Sequence, residues 1–216
     1  VVFISSKLTG ATFAGSNLTL ADLTGASIAG VTFDASSMGS QDLSDRDLSA
    51  GTFRHLDLLS VNLSGSNLDA TTFDTVDLTG RDFSTNSVTG ISFVNSTLDQ
   101  VDLSGKELPE IDLAGLSLNA ANFVDANLRG ANLTNTDIRA AAFDGSSLVS
   151  ADLTGALWIA AGVPVPTFVG ATYSQNSVDD AGNPIPDTIF PAFFDPVTAG
   201  MTLVAVAPAD DQDGDG

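Results

Sequence analysis

ATFAGSNLTLADLTGASIAGVTFDAS, residues 11–36, places a large apolar side chain at every fifth position: Phe13, Leu18, Leu23, Ile28 and Phe33. The same register runs without an insertion from Phe3 to Leu153, and all 31 of its positions are Phe, Leu, Ile, Met or Val. A period of five fits neither the 3.6 of an α-helix nor the 2 of a strand, so either element would scatter these residues over every face. A short fixed period that keeps one kind of residue inside is the mark of a solenoid, in which each coil buries its apolar side by stacking on its neighbours.

The phenylalanines set the length of a coil. All nine Phe residues of the run fall on alternate five-residue units, and Phe13, Phe33, Phe53, Phe73 and Phe93 lie 20 apart. Four units per coil stack those five in one column and send Phe3, Phe83, Phe123 and Phe143 to the opposite wall, leaving aliphatic side chains on the other two. Rings facing rings across one axis, with aliphatics across the other, fill a narrow square interior at close-packed density. Stepping by 20 also yields outward ladders: Thr12, Thr32, Thr52, Thr72, Ser92 before the Phe column, and Asp22, Asp42, Asn62, Asp82, Asp102, Asn122 on another wall.

Units such as Ala21-Asp22-Leu23-Thr24-Gly25, Ala131-Asn132-Leu133-Thr134-Asn135 and Ala151-Asp152-Leu153-Thr154-Gly155 resemble the signature of the pentapeptide repeat proteins. The resemblance covers the first three-quarters of the chain. It implies an all-β fold: a right-handed quadrilateral parallel β-helix solenoid, with the central Leu or Phe and the small residue two before it pointing inward. That small position is kept at Ala11, Ala21, Ala26, Val31, Val61, Val101, Ala121 and Ala131, and broken at Gln41, Arg46, Arg81, Asn86 and Lys106. An unpaired charge inside would be costly, so these five side chains are expected to leave through a distorted corner or to pair.

Residues 1–155 thus form a β-helix of about eight coils, and 156–180 an irregular final coil. In that coil the register weakens through Trp158, Val163, Phe168, Tyr173 and Val178, between Pro164 and Pro166 and a turn-rich stretch from Asp179 to Asp187. Residues 181–207 hold Ile189, Phe190, Phe193, Phe194, Met201, Leu203 and Val204, an apolar cluster suited to cap the open end of the solenoid. Residues 208–216 are an acidic tail. Val1 already occupies an inward position, which reads as an excised piece of a longer protein with its N-terminal coil left for a partner or a second copy.

The chain has 27 acidic residues against 7 basic ones, a formal net charge of −20, and no cysteine. That balance argues against direct binding to nucleic acid or anionic lipid, and excludes disulfides, Cys-ligated metals and a Cys nucleophile. No apolar run reaches the length of a membrane span. Of the 19 acidic residues before residue 155, 11 sit directly before the central apolar residue. A short polar side chain there can hold backbone N–H groups of its own turn, so most of the acid is expected to be structural. The stripe of Asp22, Asp42, Asp82 and Asp102 is the candidate binding surface. Asp211, Asp213 and Asp215 match the opening half of a calcium loop, alternate oxygens suiting a hard cation; no other cofactor is expected. His55, the single histidine, stands at a corner, and the many Ser residues are expected in outward ladders without a base beside them, so the chain reads as no enzyme.

Three functions follow from these readings. The first is a non-catalytic structural or protein-interaction module, a stiff acidic rod in a larger secreted bacterial protein at the cell surface, binding a protein partner or itself through the solenoid ends. The second is what the family resemblance implies: a cytoplasmic DNA mimic that binds DNA gyrase, of the quinolone-resistance type. The third is a calcium-dependent extracellular scaffold or adhesion element.

Overall fold

A computed structural model describes residues 1–159, 164–169, 171–173, 187–190 and 194–203. The 20-residue coil is present in the hydrogen bonding. Strands β1 (Thr12–Ala14), β2 (Thr32–Asp34), β3 (Thr52–Arg54), β4 (Thr72–Asp74) and β5 (Ser92–Val94) pair in parallel, in chain order, each residue with the one 20 further on. Single parallel bridges continue the register on the other three walls, among them Val2 to Asp22, Lys7 to Ser27 and Asn17 to Ser37. The walls are numbered here by those ladders: the first holds Asp22, the second Ser27, the third β1–β5 and the fourth Ser37. No helix occurs among the described residues.

Most corners share one construction, and those that follow β1–β5 lack the bond that closes it. The carbonyl of the central residue accepts the N–H three residues on, as in Leu8 to Ala11 at 2.8 Å and Leu23 to Ala26 at 3.0 Å, and the residue before that N–H turns into the left-handed region. This is the arrangement of a type II turn, whose third residue needs a positive φ. Gly10, Gly25, Gly65 and Gly80 supply it without steric conflict, whereas Ala50, Ala70, Ala120 and Ala140 occupy the same place at φ between 54° and 57°.

The core is a filled square. Phe33, Phe53 and Phe73 are buried, and ring centroids along the column from Phe13 to Phe93 lie 5.7, 5.4, 5.2 and 5.9 Å apart. Phe83 reaches across from the opposite wall to Phe73 and Phe93 at 6.1 and 6.3 Å, and Phe123 stacks under Phe143 at 5.2 Å. Ordinary core burial at roughly 25 cal/mol per Å² therefore accrues coil by coil.

The five departures from the small inward position do pair, and with the backbone. Gln41 Nε2 donates to the carbonyls of Leu18 and Ala21, both at 2.8 Å; Arg46 donates to those of Leu23 and Ala26. Arg81 donates to Val61 O at 2.7 Å, Asn86 to Leu63 O and Ser66 O, and Lys106 to Ser84 O and Asn86 O at 2.7 and 2.8 Å. Each side chain runs along its wall to the coil below. The expected distorted corner is found at two places: Asp45, Ala50, Gly80, Gly90, Gly105 and Glu110 keep left-handed backbone, whereas Thr85, between Arg81 and Asn86, departs from it, and before Gln41 it is Gly39 and not Ser40 that turns left-handed.

Past Leu157 the register slips by one unit. Ala142 pairs with Thr167 and Ser147 with Thr172, 25 residues on, so that Phe168 stacks over Phe143 at 5.1 Å. Ile189 then supplies the next rung of the third wall, bonded to Leu153 N at 2.7 Å and to Ala151 O at 2.8 Å. The short strands β6 (Thr172–Tyr173) and β7 (Thr202–Leu203) pair on the second wall, over Ser147. Val163, Val178, Phe193, Val204 and nearly all of the turn-rich stretch lie outside the described residues.

Candidate interaction surface

With the interior filled, the groups that can do chemistry stand on the outward ladders, and their first partners are in their own turns. Asp22, Asp42, Asp82 and Asp102 each accept the backbone N–H two residues on, at 3.0, 3.1, 2.8 and 2.9 Å. Asn17, Asn62, Asn122 and Asn132 do the same. A side chain that is short, polar and oxygen-bearing is what this bond requires, which is why Asp and Asn interchange along the column.

Three of these carboxylates, Asp22, Asp42 and Asp82, are held ionised. Hydroxyl hydrogen bonds from Thr24, Ser44 and Ser84, with the backbone N–H groups second, keep Asp22, Asp42 and Asp82 below the ordinary carboxylate pKa. Like charges along the ladder are separated by amides: Asn62 Nδ2 donates to Asp42 Oδ1 at 3.0 Å and Asn122 Nδ2 to Asp102 Oδ1 at 3.1 Å. The proposed stripe is therefore a real column on the first wall, although Asp22 and Asp42 are not bridged to each other as Asp82 and Asp102 are.

A second charged group lies on the third wall, and the sequence alone did not reveal it as a unit. Arg54 on β3 donates to Asp34 Oδ2 on β2 at 2.6 Å, and His55 Nδ1 lies 3.1 Å from Asp34 Oδ1. These bonds, Arg54 first, bring Asp34 down to about 2. The signal was the 20-residue step from Asp34 to Arg54, which sets them side by side on adjacent strands. On the fourth wall Arg139 pairs with Asp137. Burial pushes the Arg81 guanidinium below its ordinary value against the opposing charge of Asp57.

At the far end of the rod Trp158, Phe168, Phe190 and Phe194 meet. Phe194 lies 5.2 Å from Trp158, 5.1 Å from Phe168 and 4.9 Å from Phe190, beside a groove of about 420 Å³ lined also by Val165, Pro166 and Val169. Among the described residues no group of three or more His, Asp or Glu side chains converges to hold a metal ion, and no helix is long and apolar enough to cross a membrane. Asp211, Asp213 and Asp215 lie outside the described residues.

The family model for pentapeptide repeats matches residues 1–38 and 121–157, in eight copies. The stretch between holds Gln41, Arg46, Arg81, Asn86 and Lys106, where the small inward residue of the repeat is replaced. No curated protein sequence matches the chain. Two trypsin-treated forms of QnrB1, a plasmid-mediated fluoroquinolone resistance protein, resemble it in structure. One has a TM-score of 0.58 at 16% identity, covering 94% of this chain and 88% of QnrB1; the other has 0.53 at 16%, covering 89% of each. HetL, a pentapeptide repeat protein involved in heterocyst differentiation regulation in the cyanobacterium Nostoc, aligns at 22% identity over 79% of this chain and 89% of its own, with a TM-score of 0.32. At 16% identity the likeness to QnrB1 is one of fold.

Proposed function

The chain carries pentapeptide repeats wound into a four-sided β-solenoid, and from that premise we propose that it is a non-catalytic interaction module: an acidic rod that offers its flat walls to a protein partner. One observation carries the reading. The interior is packed with side chains and the polar groups face out in ladders, with Asp22, Asp42 and Asp82 held ionised by their own turns, which supports recognition by a basic partner surface. The stripe Asp22, Asp42, Asp82, Asp102 is the surface assigned to that contact. Because each of these carboxylates also holds a backbone N–H, replacement by Asn keeps the turn and removes only the charge. The quadruple Asp→Asn protein should keep the circular dichroism of the parent and retain fewer basic proteins in affinity capture at about 0.1 M salt. Equal retention by both proteins would overturn the assignment. Placement at the cell surface, as part of a larger secreted protein, belongs to the same proposal.

A second reading is the gyrase-directed DNA mimic. The acidic, rod-shaped outline supports it, and a supercoiling assay decides it: no effect of the purified protein at high micromolar concentration removes it. The calcium-dependent scaffold rests on Asp211, Asp213 and Asp215, and calorimetric titration of the chain with Ca²⁺ tests it, an absence of heat ruling it out.

A further inference from the structure

The ladder between coils is not continuous, and where it stops follows the size of the inward residue. From Ala121 onward that position holds Ala, Ser or Thr through Ala156, and bonds such as Asn127 N to Lys106 O at 2.8 Å, Asn132 N to Ile111 O at 2.9 Å and Asp137 N to Leu116 O at 3.1 Å join each coil to the one below. One coil earlier the same three positions are Lys106, Ile111 and Leu116, and none of the backbone bonds that would join Val88–Ser96 to Glu107–Ser117 forms. The bridges stop there as well: β5 is the last strand of its sheet, and Ser87, Ser92 and Thr97 have no bridge to Glu107, Asp112 and Ser117. A groove of about 620 Å³ lies in the gap, lined by Ser92–Thr97 below and Asp112–Ser117 above. Other openings accompany Gln41, Arg46, Leu56, Val76, Arg81 and Asn86, the one between Leu20–Gly25 and Gln41–Arg46 holding about 670 Å³, while Ile91 keeps its bond, from Ser92 N to Thr71 O. Gln41, Arg46, Arg81 and Asn86 lace the lips of their openings through their own donors, and Leu56 and Val76 are single positions that cannot; at the rung of Lys106, Ile111 and Leu116 only Lys106 does so, and the two consecutive side chains after it have nothing to donate.

We propose that the solenoid is jointed at this rung. Coils below and above it part on the second and third walls and the adjoining edge of the fourth, and pivot on the first wall, where Asp82, Asp102 and Asn122 remain bridged in sequence. Ile111 and Leu116 are the wedges: stacked on Ile91 and Ser96, they hold the coils beyond the usual strand spacing of about 4.8 Å. The joint gives the rod a place to bend between the five-stranded sheet and the Ala-lined coils.

Amide exchange and paired spin labels test this. The N–H groups of Asp112 and Ser117 should exchange at least about 100-fold faster than those of Asn132 and Asp137 one coil on, because only the latter are bonded. The chain has no cysteine, so labels can be introduced in pairs on the third wall. Thr12→Cys with Ser92→Cys spans four bonded rungs, and Thr52→Cys with Asn132→Cys spans four that include the gap, each pair about 19 Å apart at ideal spacing. The second pair should show the longer and broader distance distribution. Ile111→Ala with Leu116→Ala should narrow it and slow exchange at Asp112 and Ser117 at least about 10-fold. Should that double variant fail to fold, Ala131→Ile in the closed rung should instead speed exchange at Asn132. Equal distributions for the two label pairs, or exchange rates unaffected by these substitutions, would overturn the joint.

Discussion

Asp34 shows how much one outward side chain can hold on a solenoid. Its carboxyl is brought to about 2 by Arg54 and His55, against about 3.9 in an unfolded chain. A depressed folded value means the stabilisation is complete above pH ~4 and disappears as pH falls toward 2. The melting temperature of the parent should exceed that of Asp34→Asn at pH 6, and the gap should close between pH 4 and 2; a gap independent of pH would mean that the pair is not the cause. The corners give a prediction of opposite sign. Ala120 sits at φ 56°, where Ala is strained and Gly is not, so Ala120→Gly should stabilise the chain by about 0.5–1 kcal/mol in chemical denaturation. Of these residue-scale features the five-fold register gave only the place. Asp34 and Arg54 were legible as neighbours once the coil length was known, but the left-handed corners were not, because Ala, His, Thr and Glu occupy them beside Gly.

At the scale of a strand and its column, the inside and outside of β3 separate cleanly. Phe53 is buried between Phe33 and Phe73 while Thr52 on the same strand faces out. Phe53→Ala should cost about 3–5 kcal/mol as a core truncation, and Thr52→Ala less than about 1 kcal/mol, both read from denaturant midpoints; similar losses would contradict the assignment. Gly51 sets how closely β3 approaches β2. A Cβ there would lie 2.7 Å from Leu48 O and 3.3 Å from Val31 O, so Gly51→Ala must push the backbone apart. A loss of about 1–3 kcal/mol is expected, together with faster exchange of the Thr52 amide, which now bonds to Val31 O at 2.9 Å. The alternation of Phe along the sequence foretold this column. The polar intruders Gln41, Arg46, Arg81, Asn86 and Lys106 were expected to leave the wall or to pair, and what they pair with depends on carbonyls 20 to 23 residues earlier, which only the wound coil brings within reach.

For the whole molecule, a formal net charge of −20 on a rod means self-repulsion that salt relieves. Raising ionic strength from about 0.01 M to about 0.5 M shortens the screening length several-fold, so the melting temperature should rise over that range; a flat or falling profile would show that ion pairs such as Asp34–Arg54 outweigh the net charge. The register slip after Leu157, which sets Phe168 over Phe143 rather than 20 residues from its partner, and the use of Ile189 as a rung of the third wall also belong to this scale. By itself the sequence determined the coil, its four walls, and the columns inside and outside them, because a strict period fixes every contact between residues one turn apart. Which rungs close and which stay open was decided only by the tertiary structure. That outcome depends on whether two stacked inward side chains fit within one strand spacing, and the fit is a property of the pair and not of either residue alone.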